Sequence, residues 1–263
     1  MSQFLFFIVV GFIAQVIDGA LGMAYGVIST SILVGTGISP MVASAAVHTA
    51  EIVTTGISGL SHAMFKNIDI KLFKLLAIPG IIGSITGAIF LTKLPLSIAT
   101  PFIATYLFMM GCFILYRALR RGRFSKNFKS LLLKKVEWDK LPSEEARGLL
   151  PLGFVGGFFD AAGGGGWGSI VNSTLLAQGT TPRFTIGSVN FTEFLITLSI
   201  SATFLLTIGI THWTIIFGLI VGGAIAAPFA AWVVRFIEPR VIMISAGILV
   251  IFIGIRMIVQ IFL

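Results

Sequence analysis

The stretch Asp160-Ala-Ala-Gly-Gly-Gly-Gly-Trp-Gly168 interrupts a long apolar segment. A second copy, Asp18-Gly-Ala-Leu-Gly-Met-Ala-Tyr-Gly26, lies 142 positions earlier. Asp18 matches Asp160, Gly22 matches Gly164, Tyr25 matches Trp167 and Gly26 matches Gly168. The same offset pairs Gly37 with Gly179, Pro40 with Pro182, Val47 with Val189 and Glu51 with Glu193. A register this long without a gap marks an internal duplication, with an acidic, glycine-rich break in each half.

Composition sets the solvent. Apolar residues make up 56% of the 263-residue chain, charged residues 11%, and the mean hydropathy is +1.03. A soluble domain needs far more charge on its surface. Several apolar runs approach the roughly 20 residues that cross a bilayer. The expected class is an all-α integral membrane protein. Cys112 is the single cysteine, which excludes an internal disulfide and a multi-cysteine metal site. Met1-Ser2-Gln3 carries no basic residue, so no cleaved signal is expected.

The net charge of +8 is not spread evenly. Ten of the eighteen basic residues fall between Arg117 and Arg147. One basic connector between apolar halves is the pattern of the positive-inside rule. No aromatic interleaving accompanies it, so no nucleic-acid partner is expected. The chain divides into a first transmembrane repeat (1–117), a basic cytoplasmic connector (118–147) and a second repeat (148–263). A short amphipathic piece is expected at Phe128–Val136.

In order, residues 3–36 form a broken segment, and Ser39-Pro40 opens a helix to about Phe65. Apolar segments follow at about 72–92 and 97–117. The second half repeats the plan at 149–179, at Pro182 to about Thr207, at 213–234 and at 241–262. If each broken segment is a hairpin that returns to its own face, Lys66, Lys71, Lys74, Arg183, Arg235 and Arg240 all share the connector's side. A single crossing scatters them. The charge bias favours hairpins. Each repeat then holds a re-entrant helical hairpin plus three transmembrane helices. That odd number of crossings inverts the second repeat relative to the first, with a site at mid-membrane.

Four of the ten acidic residues lie in the apolar repeats: Asp18, Glu51, Asp160 and Glu193. A carboxylate at membrane depth is costly and by default functional. Glu51 and Glu193 sit about three turns into their helices. His48 and Thr55 flank Glu51 at helical spacing, and Asn190 and Thr197 flank Glu193. Asp18 and Asp160 fit two roles, caps on exposed backbone N–H groups or members of a transport path. His48 fits either a proton relay or a packed hydrogen-bonding residue. Glu51, Glu193, His48, Asp18 and Asp160 form the coupling or gating set.

The glycines of the second break, Gly163, Gly164, Gly165, Gly166 and Gly168, permit a sharp turn. A half-helix starting near Trp167 would aim free N–H groups and its positive end at the membrane centre, an anion site. Ser169, Asn172, Asn190, Gly26, Ser29 and Thr30 would add backbone or neutral side-chain contacts. Tyr25 and Trp167 would wall the site or pack the helices. No lysine follows the glycine run, so it is no phosphate loop. An anion beside four ionised carboxylates would be repelled, and burial disfavours the charged form of a carboxylate. Anion binding together with a proton resolves the conflict.

The two halves, IDGALGMAYG with ISTSILVGTGISPMVASAAVHTAEIVTTGISGLSHAMF and FDAAGGGGWGSIVNSTLLAQGTTPRFTIGSVNFTEF, resemble the TauE/SafE-type sulfite exporters, also described as domain-of-unknown-function 81 membrane proteins. The resemblance covers both repeats. It implies a bacterial inner-membrane, multi-pass permease that exports sulfite, an organosulfonate or a related sulfur oxyanion, with no cofactor. The family's glycine signature falls on Gly163 to Gly166 and Gly168. The first copy departs from it with Leu21, Met23 and Ala24. Expected partners are the sulfur-containing anion and membrane lipid, with a second copy of the chain as the candidate protein partner. An enzyme is not expected, because one cysteine and three dispersed histidines offer no metal-ligand spacing. Two other readings compete: a carrier of a cation held by the four carboxylates, and a membrane scaffold that recruits a partner through its connector.

Overall fold

The computed structural model describes residues 2–120, 143–177, 180, 182–233 and 239–262. All elements among them are helical. The first half contains α1 (Ser2–Leu21), α2 (Tyr25–Gly35), α3 (Pro40–Met64), α4 (Ile70–Lys93) and α5 (Leu96–Arg120). The second contains α6 (Ser143–Gly163), a π-helical turn (Gly168–Asn172), α7 (Ser173–Ala177), α8 (Pro182–Thr207), α9 (Trp213–Val233) and α10 (Pro239–Phe262). Four helical stretches are long and apolar enough to cross a membrane: Ile70–Lys93, Leu96–Leu119, Arg183–Thr207 and Arg240–Ile261. Leu60, Met64, Leu206, Met109 and Phe252 are among many large apolar side chains on the outer surface. A protein in water rarely leaves so much apolar surface uncovered, whereas lipid tails solvate it.

Local chemistry explains the helix ends. Pro40 stands in the first turn of α3, where a missing N–H costs nothing. Asp69 caps α4, accepting the Lys71 and Leu72 N–H groups at 3.0 and 3.1 Å. The helices also run further into the connector than expected. α5 continues to Arg120, and α6 begins at Ser143 rather than near 149. The amphipathic piece expected at 128–136 lies outside the described residues.

The two halves interlock. α1 packs along α9, and α6, which is α1 shifted by 142 positions, packs along α4, which is α9 shifted back. α3 packs on α8, and α5 on α10, each with its own counterpart. Matched glycines make the swapped pairs tight. Gly11 lies against the Leu219 backbone and Gly153, its counterpart, against Leu76 and Pro79. Gly222 lies against Ile8, and Gly80, its counterpart, against Trp167 and the Gly157 face. Without water to drive apolar faces together, such backbone approach is a main source of helix association in lipid. Thr55 and Thr197, an equivalent pair, meet with their hydroxyls 3.4 Å apart.

Candidate functional site

The two glycine breaks cross each other. A Cβ on Gly26 would stand 2.7 Å from Gly165 Cα, and one on Gly165 would fall inside the Gly26–Val27 peptide. Only residues without side chains can meet this way. The second break is also held in the left-handed region, with φ of 75°, 133° and 149° at Gly164, Gly165 and Gly166. The first break turns on Gly22 (φ 68°) and on Ala24, whose φ of 90° is costly for a residue with a Cβ.

Each aspartate closes its own break. Asp160 Oδ1 accepts the Trp167 N–H at 2.8 Å, and Asp18 Oδ1 accepts the Tyr25 N–H at 3.4 Å. These are equivalent bonds, and each meets a backbone donor where a half-helix starts. Capping therefore describes one oxygen of each aspartate. The other oxygen of Asp160 faces His48, with Oδ2 3.3 Å from Nε2. Glu51 Oε2 is 3.9 Å from the same nitrogen. Glu51 Oε1 lies 3.2 Å from where a Gly26 Cβ would stand, so this carboxylate borders the crossing. His48, Glu51 and Asp160 are all buried, while Glu193 and Asp18 are partly so. Glu51 lies within electrostatic reach of Asp160, Glu193 and Asp18, and Glu193 within reach of Asp160 and Asp18. The duplication thus gathers all four intramembrane carboxylates.

The neutral polar residues divide. Thr30 donates its hydroxyl to the Gly164 carbonyl, and Asn172 Nδ2 donates to the Gly22 carbonyl at 2.9 Å, so each break is stitched to the other repeat. Ser29 Oγ, Ser169 Oγ, Ser173 Oγ and Asn172 Oδ1 are buried and have no hydrogen-bond partner among the described residues. Such groups each cost about 1–3 kcal/mol when unsatisfied. Three of them sit on or just after the π-helical turn, a geometry that recurs at functional sites. Asn190 is turned to Ser58, donating to its Oγ at 3.0 Å. The two aromatic residues of the motif face neighbouring helices. Trp167 donates its indole N–H to the Val189 carbonyl at 3.2 Å and lays its ring against Gly80 and Gly156. Tyr25 donates its hydroxyl to the Leu219 carbonyl at 3.4 Å.

One residue at the break was not singled out from the sequence. Tyr106 on α5 donates its hydroxyl to the Gly165 carbonyl at 2.6 Å. Its ring stacks on Phe159, 5.7 Å between centroids and 3° from parallel, and presses on Gly163. Carbonyl and following N–H point oppositely in a trans peptide. Holding the Gly165 carbonyl toward α5 therefore turns the Gly166 N–H the other way. The signal in the sequence is a break in the repeat: the position equivalent to Tyr106 is Ile248, which has no hydroxyl. Tyr106→Phe keeps the ring and removes the donor. We expect it to weaken ligand binding at the break about tenfold, the effect of about 1.4 kcal/mol, with folded yield unchanged. Tyr106→Ile should lose yield as well, which detergent size-exclusion profiles would report.

Residues 7–257 match the family described as Sulfite exporter TauE/SafE. The chain is also 42% identical over 264 residues to "Probable membrane transporter protein YtnM" of Bacillus subtilis (strain 168). That similarity covers 99% of this chain and 84% of the relative. No solved structure matches.

Proposed function

The chain belongs to the TauE/SafE sulfite exporter family of multi-pass membrane transporters, and we propose that it is a secondary transporter, not an enzyme, that exports sulfite, an organosulfonate or a related sulfur oxyanion together with proton movement. The observation that carries the reading is the crossing of the two glycine breaks. Closely packed glycine backbone, unsatisfied buried side-chain polar atoms and the four carboxylates come together there. Serine hydroxyls and helix-start N–H groups are donors, the complement of an oxyanion. The substrate set is Gly163 to Gly166, Gly168, Gly26, Ser29, Thr30, Ser169 and Asn172. Tyr25, Trp167 and Asn190 belong to its supporting wall, since each turns its donor to a neighbouring helix, whereas Thr30 turns its hydroxyl to the Gly164 carbonyl within the crossing itself. The carboxylates Glu51, Glu193, Asp18 and Asp160 take up the proton that allows an anion to approach. A cation carrier is less well supported, because no group of three or more His, Cys, Asp or Glu among the described residues is placed to hold a metal ion.

Inverted repeats are part of the same proposal. Arg183, at the start of α8, donates to Asn67 Oδ1 at 2.5 Å and to the Phe65 carbonyl at 3.1 Å. The 65–69 loop and the start of α8 therefore share a face. If α4 and α5 each cross once, the connector shares it too. Residues 143–181 then enter and leave by that face, as a re-entrant hairpin does. The turn at 37–40 and the ends of α5 and α10 line one cavity, with Gly37, Leu96 and Gln260 around it. α3 begins beside the 208–212 loop. These contacts support a second hairpin that opens on the opposite face. Cation bias assigns the connector face to the cytoplasm of the inner membrane.

The test is flux in proteoliposomes with and without a proton gradient. Saturable sulfite or alkanesulfonate flux that responds to the gradient is the expected result. Glu193→Gln should reduce gradient-driven flux about tenfold or more and leave the variant folded. Flux of neither anion in folded wild-type protein would sink the reading, and flux of a metal cation instead would favour the alternative.

A further inference from the structure

His48 and Asp160 belong to different repeats, and His48 Nε2 and Asp160 Oδ2 come close without a formed hydrogen bond to each other or to any other described residue. The tautomer of His48 follows from its neighbours. Nδ1 lies 2.7 Å from the Ser44 carbonyl, an acceptor without a proton, so Nδ1 carries N–H and donates. The Ser44 hydroxyl is occupied with the Ala161 carbonyl at 2.9 Å. In neutral His48, Nε2 is then a bare lone pair. It lies 3.3 Å from Asp160 Oδ2, with both side chains buried. Two acceptors face each other. The contact is attractive only with one proton between them, as imidazolium on carboxylate or as imidazole on carboxylic acid.

We propose that His48 Nε2 and Asp160 Oδ2 form one proton seat per chain, and that the seated proton docks the second glycine break onto α3. The proposal rests on the proton-coupled reading above and gives it an address and a count. Asp160 is suited to the link because its Oδ1 already holds the Trp167 N–H. A proton at Oδ2 thus fixes the start of the half-helix to α3 of the other repeat. Its loss leaves a lone pair against a carboxylate, and the break separates from α3. The step balances simply: one proton enters from water and the same proton leaves.

The count follows from an asymmetry in the duplication. The position equivalent to His48 is Asn190, and that of Asp160 is Asp18. An asparagine amide neither gains nor loses a proton in this range, and Asn190 is bonded to Ser58. The second copy of the seat cannot form. Other titratable groups face the seat from every side. Glu51 lies on α3 itself, Glu193 on α8, Asp18 and Tyr25 on the first broken segment and Tyr106 on α5. They set the field at the seat, while none lies as near Nε2 as Asp160 does.

Two measurements test this. The first is nitrogen-15 NMR of imidazole in His62→Gln/His212→Gln protein, where His48 is the only histidine, in full-length reconstituted transporter. Nδ1 should remain protonated throughout, and a single proton should be gained at Nε2 as pH falls. Asp160→Asn, which keeps an acceptor for the Trp167 N–H, should change the Nε2 resonance of the protonated ring, because the group beside it is no longer a carboxylate. A neutral tautomer with the proton on Nε2, or an Nε2 resonance indifferent to Asp160→Asn, overturns the seat. The second is flux of an alkanesulfonate, which has no titratable proton of its own. In His48→Asn, the ratio of gradient-driven to downhill flux should fall about tenfold. An unchanged ratio in a proton-coupled wild type overturns the proposal. Wild-type flux without proton coupling overturns the broader reading, and the NMR result then decides the seat by itself.

Discussion

Gly165→Ala is expected to abolish flux of the proposed substrate. Two costs combine at this residue. Its φ of 133° is a region that residues with a Cβ rarely enter, a strain of about 1–3 kcal/mol. The added Cβ would also occupy the Gly26–Val27 peptide of the other repeat. That peptide is buried backbone in the first turn of α2, and backbone has no rotamer by which to yield. The breaks must move apart, and the convergence of donors is lost with them. Gly37→Ala separates the two costs. Gly37 has a φ of 94°, but nothing lies within 4 Å of its would-be Cβ. It should lose only the strain and retain most of its flux. Side-by-side proteoliposome assays, normalised to monodisperse protein, would decide. Equal losses in both variants would mean that turn strain, not the crossing, limits the site.

The positions of the helices and of both breaks were legible in the sequence because they rest on local signals. Apolar runs mark the helices, Pro40 and Pro182 mark the starts of α3 and α8, and the aspartate with its glycines marks each break. Membrane depth made Asp18, Glu51, Asp160 and Glu193 visible, since few folds tolerate a carboxylate there without a use. What local pattern could not supply was pairing. The register of 142 says that Asp18 corresponds to Asp160, yet not that Asp160 reaches His48 on the other repeat. Nor does it say that α1 packs on α9 rather than on its sequence neighbours. Tyr106 escaped for a related reason. It is one aromatic among many in an apolar helix, and only its mismatch with Ile248 sets it apart. His48 and Asn190 differ in the same way. In a duplicated chain, the departures from the repeat point to what the two halves do differently.

The second large effect is expected at the α4–α6 seam, away from the site. Gly83 and Gly87 on α4 meet the Phe154 and Phe158 carbonyls, and Gly157 on α6 meets the Gly80 carbonyl. Backbone therefore touches backbone along about two turns. Gly83→Leu places a Cβ inside the Phe154 carbonyl, and no change of rotamer moves a Cβ. The helices must separate by several ångströms, which forfeits the dispersion that holds them in lipid. Phe158, tilted against Phe90 and edge-on to Phe159, and Trp167, seated against Gly80 and Gly156, lose their packing in turn. Gly83→Leu should lower the yield of monodisperse protein about tenfold or more, with any surviving protein melting at lower temperature. Gly148→Leu on α6 is the control, because nothing lies within 4 Å of that position. Leucine is the better helix former, so this variant should fold at least as well as wild type. The seam and the crossing also separate by phenotype. Seam variants should fail before purification, whereas Gly165→Ala should fail chiefly in flux, because the α1–α9, α4–α6 and α5–α10 pairs that hold the bundle remain intact. A Gly83→Leu protein that purifies and melts like wild type would show that these helices are held by something other than their glycine faces.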